Sequence, residues 1–174
     1  MRLRALAGEV RELAVRSSRL AVVPVWVGEL TRLEALEVSG ECDERNAVRK
    51  SLPASLGQLG ALKQLTLTRL SGLEVLPDAV VRLTSMGSLT IEHCGKLRAL
   101  PRGLGKLGAL KQLTLRGSDE EQEVPDTIGR MTALEHLTLG NYAHGSRAFT
   151  ALSRSLPCLQ QLQVLRLRGG VFCA

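Results

Sequence analysis

Aromatic residues are scarce in this chain: Phe, Trp and Tyr together account for 2% of its 174 residues, although 44% of the residues are hydrophobic. The core is therefore expected to be aliphatic. Proteins that bind single-stranded nucleic acid stack the bases on aromatic side chains beside basic ones. The formal net charge is +6, but basic residues without interleaved aromatics argue against a nucleic-acid partner.

Paired cysteines and long apolar runs are also missing. The four cysteines, Cys42, Cys94, Cys158 and Cys173, form no C-x-x-C pair and no closely spaced framework, so we expect reduced thiols and a cytoplasmic protein. No run reaches the roughly 20 apolar residues that span a bilayer, and the apolar stretch near the N-terminus is too short for a signal peptide. The sequence predicts no contact with a membrane.

Catalytic motifs are absent as well. The chain contains no G-x-S-x-G, no H-E-x-x-H and no G-x-x-x-x-G-K-[ST], and its three histidines, His93, His136 and His144, accompany no paired-carboxylate pattern. A general base needs a positioned partner within hydrogen-bond reach. We therefore expect no enzymatic activity, no cofactor and no bound metal.

What the chain does contain is a repeat of 24 residues. Pro53, Pro77, Pro101 and Pro125 follow one another at that interval, and apolar residues recur 3, 6, 9, 12 and 14 positions after each. A fixed period between about 20 and 29 residues, with leucines spaced L-x-x-L-x-L, is the signature of a leucine-rich-repeat solenoid. Leucine at every third position also resembles a string of amphipathic helices, but the L-x-L pairs followed by threonine favour strands.

The repeats predict a single domain over residues 1–174. A partial repeat occupies residues 1–23, and further repeats start at about residues 24, 53, 77, 101, 125 and 153. Two are longer than the period, and their extra residues fall in SGECDERNAVRKS and GNYAHGSRAFTAL, each directly after a strand. These insertions are expected on one edge of the sheet, either as binding loops or as surface loops that have no function of their own.

Each repeat contributes one predicted strand, which gives seven in all. Strand alternation directs every second side chain inward, so stacked repeats form a right-handed α/β solenoid with a parallel concave sheet and turns or 3₁₀ segments on the convex side. The glycines at 28, 57, 105 and 129 are expected to shorten any regular helix there. The inward positions form three apolar ladders, namely Val10, Leu33, Leu62, Met86, Leu110, Leu134 and Leu162; Leu13, Leu36, Leu65, Leu89, Leu113, Leu137 and Leu165; and Val15, Val38, Leu67, Ile91, Leu115, Leu139 and Leu167.

The same alternation assigns side chains to the solvent-facing concave surface, which is the candidate binding site. Glu37 and Glu92 lie toward its first half, and three arginines lie toward its second half, namely Arg116, Arg166 and Arg168. These arginines could receive carboxylates or phosphates by bidentate contacts, or they could remain solvated. The candidate site residues are Gln64, Thr66, Thr68, Ser88, Thr90, Glu92, Gln112, Thr114, Arg116, His136, Thr138, Arg166 and Arg168.

The segment from Leu89 to Leu113, LTIEHCGKLRALPRGLGKLGALKQL, carries the consensus LxxLxLxxCxxLxxLPxxLGxLxxL most completely. It resembles the leucine-rich repeats of plant intracellular immune receptors and of plant intracellular Ras-group-related proteins. The resemblance implies a concave sheet that recognises proteins or holds a receptor inactive. The inward Asn or Cys of such repeats is irregular here, being Leu70, Cys94, Ser118 and Tyr142 in successive copies.

These features predict a non-catalytic module that binds a protein, with acidic partners suited to its arginines. The alternatives are a substrate-recognition or regulatory part of a ligase or phosphatase complex, and a structural protein that associates with itself. Repeat arrays need terminal repeats with polar outer faces, and neither end of this sequence resembles one. Either the chain is therefore a piece of a longer protein, or its uncapped ends associate with another chain, unless Val171 and Phe172 shield the last repeat.

Overall fold

The computed structural model describes residues 8–16, 23–40, 52–117, 125–140, 152 and 154–168. Within those residues seven strands form one parallel sheet, and their order in the sheet is their order in the sequence. This arrangement confirms the predicted solenoid and excludes the string of helices. The strands are β1 (Glu12–Arg16), β2 (Ala35–Ser39), β3 (Gln64–Thr68), β4 (Ser88–Glu92), β5 (Gln112–Arg116), β6 (His136–Gly140) and β7 (Val164–Arg168).

The strand register follows the repeat. Leu65 lies opposite Leu89 and Leu89 opposite Leu113, so residues 24 positions apart are neighbours in the sheet. Inward leucines of the central repeats are fully buried; Leu65, Leu89 and Leu113 all have 0% exposure. The predicted inward ladders are therefore confirmed from β2 to β6, where they form one continuous aliphatic core. In the terminal strands β1 and β7 the same positions are only partly buried or, at Leu165, exposed. Because each repeat packs against its two neighbours, burial depends on having both.

Short 3₁₀ segments line the convex side, as predicted. Five of them directly follow a proline, whose fixed φ ends the preceding extended run. Near the middle of each of these five segments an apolar residue, such as Leu56 or Leu104, has 0% exposure and belongs to the core. The segments are Val25–Glu29, Ala54–Gln58, Asp78–Arg82, Arg102–Lys106, Asp126–Arg130 and Leu156–Cys158.

The glycines in these segments have a second role that the sequence did not reveal. A Cβ atom on Gly28 would lie 2.4 Å from the carbonyl oxygen of Ser55, and one on Gly105 would lie 2.2 Å from that of Thr127. Both oxygens belong to the next repeat. Glycine therefore lets the convex segments of successive repeats approach more closely than any side chain would permit.

The backbone leaves the sheet through one turn position that recurs after the central strands. Arg69, His93 and Gly117 occupy it with φ values of 54°, 55° and 68°, and they are 24 residues apart. Their N–H groups continue the ladder, since that of Arg69 donates to the carbonyl of Glu92 at 2.9 Å and that of His93 to the carbonyl of Arg116 at 2.8 Å. The turns thus place the loops on a common edge of the sheet.

Cys94 is buried, as predicted, with 2% exposure. Its Sγ lies 3.6 Å from the carbonyl oxygen of Glu92, so the thiol reaches a backbone acceptor beneath the turn. Cys158 is exposed and free. No helix in the described ranges is long and apolar enough to cross a membrane. Ser118, Tyr142, Ser153 and the two longer insertions lie outside the described residues.

Candidate functional site

The outward side chains of the seven strands form three rows across the sheet. The in-register pairing places the third residue of each strand in a middle row. That row runs Ala14, Glu37, Thr66, Thr90, Thr114, Thr138 and Arg166. The first row runs Glu12, Ala35, Gln64, Ser88, Gln112, His136 and Val164, and the last runs Arg16, Ser39, Thr68, Glu92, Arg116, Gly140 and Arg168.

Threonine fills the centre of the middle row in four successive strands. Thr66, Thr90, Thr114 and Thr138 are each partly exposed. A β-branched residue suits a strand whose side chain stands on a half-covered face. Their hydroxyl groups leave a neutral, polar strip that separates the two charged ends of the surface.

A basic depression lies over the last strands, with a volume of about 220 Å³. The aliphatic stems of two arginines cover Gly140 beside it. A Cβ on Gly140 would lie 3.2 Å from Cγ of Arg116 and 3.6 Å from Cβ of Arg168, so glycine lets these two side chains pack closely over the strand. The lining residues are Glu92, Thr114, Arg116, Thr138, Arg166 and Arg168.

The three arginines of this depression are not equivalent. Nη1 of Arg116 lies 3.4 Å from Oε1 of Glu92, and both side chains are partly exposed. Arg166 and Arg168 are exposed and form no ion pair with any described residue. Among the described residues, Arg116 therefore has an acidic partner and the other two arginines have none.

A second depression, of about 440 Å³, lies over β1 to β3. Small outward side chains, Ala14 and Ala35, create it, and Glu12 and Glu37 line it together with Gln64 and Thr66. Glu37 is engaged by Arg16, whose Nη2 lies 3.2 Å from Oε1. Glu12 is exposed and has no ion pair within the described part of the chain.

The structure places all thirteen residues predicted for the site on the outward face of β3 to β7. It brings Glu92, Thr114, Arg116, Thr138, Arg166 and Arg168 together around the basic depression. The acidic depression was missed, because Glu12 and Glu37 were not selected as site residues. The signal that could have found it is two alanines, Ala14 and Ala35, at outward positions where other repeats carry larger side chains.

The two described histidines, His93 and His136, lie at different positions on the sheet. His136 opens β6 on the outward face, and its Nδ1 is buried without a hydrogen-bond partner in the described structure. His93 lies exposed in the turn after β4, and His144 falls outside the described residues. No group of three or more metal-ligating side chains occurs within the described ranges.

One edge of the sheet carries ion pairs between residues that directly precede the strands. Lys63 Nζ lies 2.6 Å from Oε2 of Glu34, and Arg11 contacts the other oxygen of that carboxylate. The hydrogen bond from Lys63, followed by that from Arg11, lowers the pKa of Glu34 below its ordinary value of 4.5. Lys111 likewise lowers the pKa of Glu135 from a distance of 2.8 Å.

The lowered pKa of Glu34 predicts a pH-dependent contribution to folding. The folded state favours the carboxylate, so its stabilisation is full above the ordinary pKa and is lost as the pH falls through the folded value. We expect Glu34→Gln to lower stability at neutral pH and the deficit to shrink as the pH falls below the ordinary pKa of 4.5 and through the lowered folded value. Urea denaturation across that range tests this, with Glu29→Gln, an exposed residue, as the control. A deficit that persists unchanged at low pH would contradict the assignment.

The sequence matches a family of known proteins. Residues 42–173 match the family model described as the leucine-rich repeat region. The chain belongs to this family. The match covers more than half of the chain and agrees with the register of the strands, so the 24-residue period is a leucine-rich repeat in sequence as well as in structure.

Solved leucine-rich-repeat structures share the fold. The leucine-rich repeat domain of the type III effector XopL aligns with a TM-score of 0.74 at 23% identity, covering 96% of this chain and 55% of that one. A leucine-rich repeat protein of Leptospira interrogans aligns with a TM-score of 0.62 at 22% identity, covering 97% and 51%. This chain thus spans about half the length of either. Identities at this level support the fold alone.

A comparison with curated proteins finds no matching sequence. The likeness to plant intracellular immune receptors, drawn from the segment Leu89 to Leu113, therefore stays a prediction. Membership of the leucine-rich repeat family indicates protein binding in general, since these solenoids present extended concave surfaces to protein partners.

Proposed function

We propose that this leucine-rich repeat protein is a non-catalytic recognition module that binds a protein partner on its concave face. The observation that carries the proposal is the face itself. The seven described strands display three rows of outward side chains, with a depression toward either end. Each depression has charged side chains that form no ion pair with another described residue. Concave surfaces of this type are the usual binding surfaces of repeat proteins.

Acidic groups of the partner fit the basic depression. Arg166 and Arg168 offer planar guanidinium groups that bind carboxylates through two parallel hydrogen bonds. The threonine hydroxyls of Thr114 and Thr138 lie in the same depression and can donate to the same oxygens. A partner that places a carboxylate there gains both contacts.

Cytoplasmic residence is part of the proposal. Cys158 is an exposed free thiol. Exposed thiols persist in reducing compartments, whereas in secreted proteins they are usually oxidised to disulfides. Cys158 therefore supports a cytoplasmic site of action.

Affinity capture from native lysate tests the proposed binding face. The bait carries Arg116, Arg166 and Arg168 either intact or changed to glutamate. We expect the intact bait to retain a specific protein partner that the reversed bait loses, because three favourable charges become repulsive.

A matched control separates the concave face from net charge. Arg82, Arg102 and Lys106 lie exposed on the convex side, and their change to glutamate alters the charge by the same amount. This bait should keep the partner. Equal loss from both reversed baits would show that net charge, and not the concave face, governs binding.

Exposure at β7 favours a second candidate function, end-to-end self-association. Leu165 is 39% exposed, whereas Leu113 at the same repeat position has 0% exposure. The outer edge of β7 pairs with no further strand in the described structure, and unpaired strand edges template association with another chain. Burial of apolar surface adds about 25 cal/mol per Å².

We expect the average mass from light scattering to rise with concentration, and Leu165→Gln to reduce the rise. The residues beyond 168 lie outside the described structure, so hydrogen exchange provides the complementary measurement. A constant monomer mass, with the backbone of β7 protected from exchange, would rule out self-association through this edge.

A further inference from the structure

The concave face has two charged depressions of opposite sign at its two ends. Glu12 and Glu37 line the one over β1 to β3, and Arg116, Arg166 and Arg168 line the one over β4 to β7. We propose that the face binds an extended protein segment of fixed polarity, with a basic residue over β1 to β3 and an acidic residue over β5 to β7. This inference rests on the proposed function and specifies the chemistry of the partner.

The acidic depression suits a lysine or arginine side chain. Its walls include Ala14 and Ala35, whose small side chains leave about 440 Å³ of space. The aliphatic stem of a long basic side chain can lie along such a surface while its charge stays solvated. Glu12 is available to pair with that charge, because Arg16 engages only Glu37.

The basic depression suits a carboxylate. Its volume of about 220 Å³ is half that of the acidic one, and a carboxylate is shorter than a basic side chain. Arg116 already forms an ion pair with Glu92, so Arg166 and Arg168 supply the net attraction for a carboxylate. The hydroxyl groups of Thr114 and Thr138 line the same depression and can donate further hydrogen bonds to the incoming carboxylate.

The separation of the depressions sets the spacing of the charges in the partner. The acidic depression is centred on β2 and the basic one on β6, which are four strand spacings apart in the sheet. At about 4.8 Å per spacing this is roughly 19 Å, and an extended chain advances about 3.3 Å per residue. About six residues therefore separate the two charged positions, and the segment between them crosses the row of threonines.

This polarity also separates a protein segment from nucleic acid. A nucleic-acid strand carries a negative phosphate at every step. It would meet Glu12 and Glu37 when it reached the first strands, where like charges repel. A segment with opposite charges at its two ends is attracted to both depressions. The face therefore fits such a peptide better than it fits a uniformly charged polymer.

Peptide selection followed by double-mutant cycles tests the proposal. Random 12-residue peptides are selected on the intact protein. We expect the enriched peptides to carry Lys or Arg and Asp or Glu about six residues apart. Changing the basic residue of such a peptide to alanine should weaken binding about 2- to 5-fold, the range for exposed ion pairs. That loss should disappear on protein carrying Glu12→Gln with Glu37→Gln.

The acidic residue of the peptide should couple in the same way to Arg166→Gln with Arg168→Gln. Crossed combinations, such as the acidic residue with Glu12→Gln and Glu37→Gln, should show no coupling. Coupling to the opposite end, or to neither end, would overturn the proposed polarity. All four positions are outward on the sheet, so none of these changes opens the core.

A blocking variant distinguishes failure of the polarity from failure of the proposed function. Thr90 lies at the centre of the middle row, and Thr90→Trp places a large side chain across the path of the segment. If this variant abolishes binding while the cycles show no coupling, the concave face binds peptides without the proposed polarity. If Thr90→Trp leaves binding unchanged, both proposals fail. A fluorescent single-stranded oligonucleotide that binds and displaces the peptides would identify nucleic acid as the occupant instead.

Discussion

Leu113→Ala will destabilise the protein by about 2–5 kcal/mol, the usual cost of removing a buried leucine side chain and leaving a cavity. Leu113 has 0% exposure and lies opposite Leu89 in one neighbouring strand and Leu137 in the other. The cavity would open between three stacked repeats. Leucines on either side are held by their own strands and can collapse into it only in part.

Thr114→Ala is the matched control, one residue further along β5. Its side chain stands on the outward face, so we expect a loss of roughly 1 kcal/mol or less, from β-propensity. Urea denaturation of both variants gives the comparison. Similar losses would mean that the inward and outward positions of β5 are assigned incorrectly.

Gly105→Ala has the second large effect, although it adds only a methyl group. Its Cβ would lie 2.2 Å from the carbonyl oxygen of Thr127 and 3.1 Å from Cβ of Arg130. The oxygen belongs to the backbone of the next repeat, so it cannot rotate away. The two repeats must separate, and overpacking of this kind costs about 1–3 kcal/mol.

Gly108→Ala tests the same substitution three residues later, where no heavy atom lies within 4 Å of the added Cβ. Removing a glycine from an unstrained position reduces the entropy of the unfolded chain, and we expect a gain of about 0.4–1 kcal/mol. Thermal and chemical unfolding of both variants provide the measurement. If the Gly105→Ala protein is as stable as the Gly108→Ala protein, the adjacent repeats are not in close contact at Gly105.

The sequence predicted the sheet well because its information is periodic. Leucines such as Leu65 and Leu89 recur at 24 residues, and the alternation of side chains along a strand fixes which of them point inward. The function of Gly105 was predicted only in part. Its neighbour Thr127 is 22 residues away in sequence, and the distance between their backbones depends on how tightly the convex segments stack.

The face was harder to predict than the core. Alternation identified which residues point outward, but it could not give the depth of the depression lined by Ala14 and Ala35. The pair formed by Glu92 and Arg116 was also missed, although these residues are 24 positions apart and the period places them side by side. Scanning for opposite charges one period apart would have found this pair.

The identity between strand order and chain order has a consequence for how such proteins can diversify. Residues 24 apart lie opposite one another from β3 to β6, so duplicating or deleting one whole period preserves every pairing on both sides of the change. Each added copy inserts one strand, about 4.8 Å of sheet, between the two charged depressions. The number of central repeats therefore sets the distance between the two depressions. Changing that number would change the spacing of charges required in the ligand and would leave both ends of the surface intact.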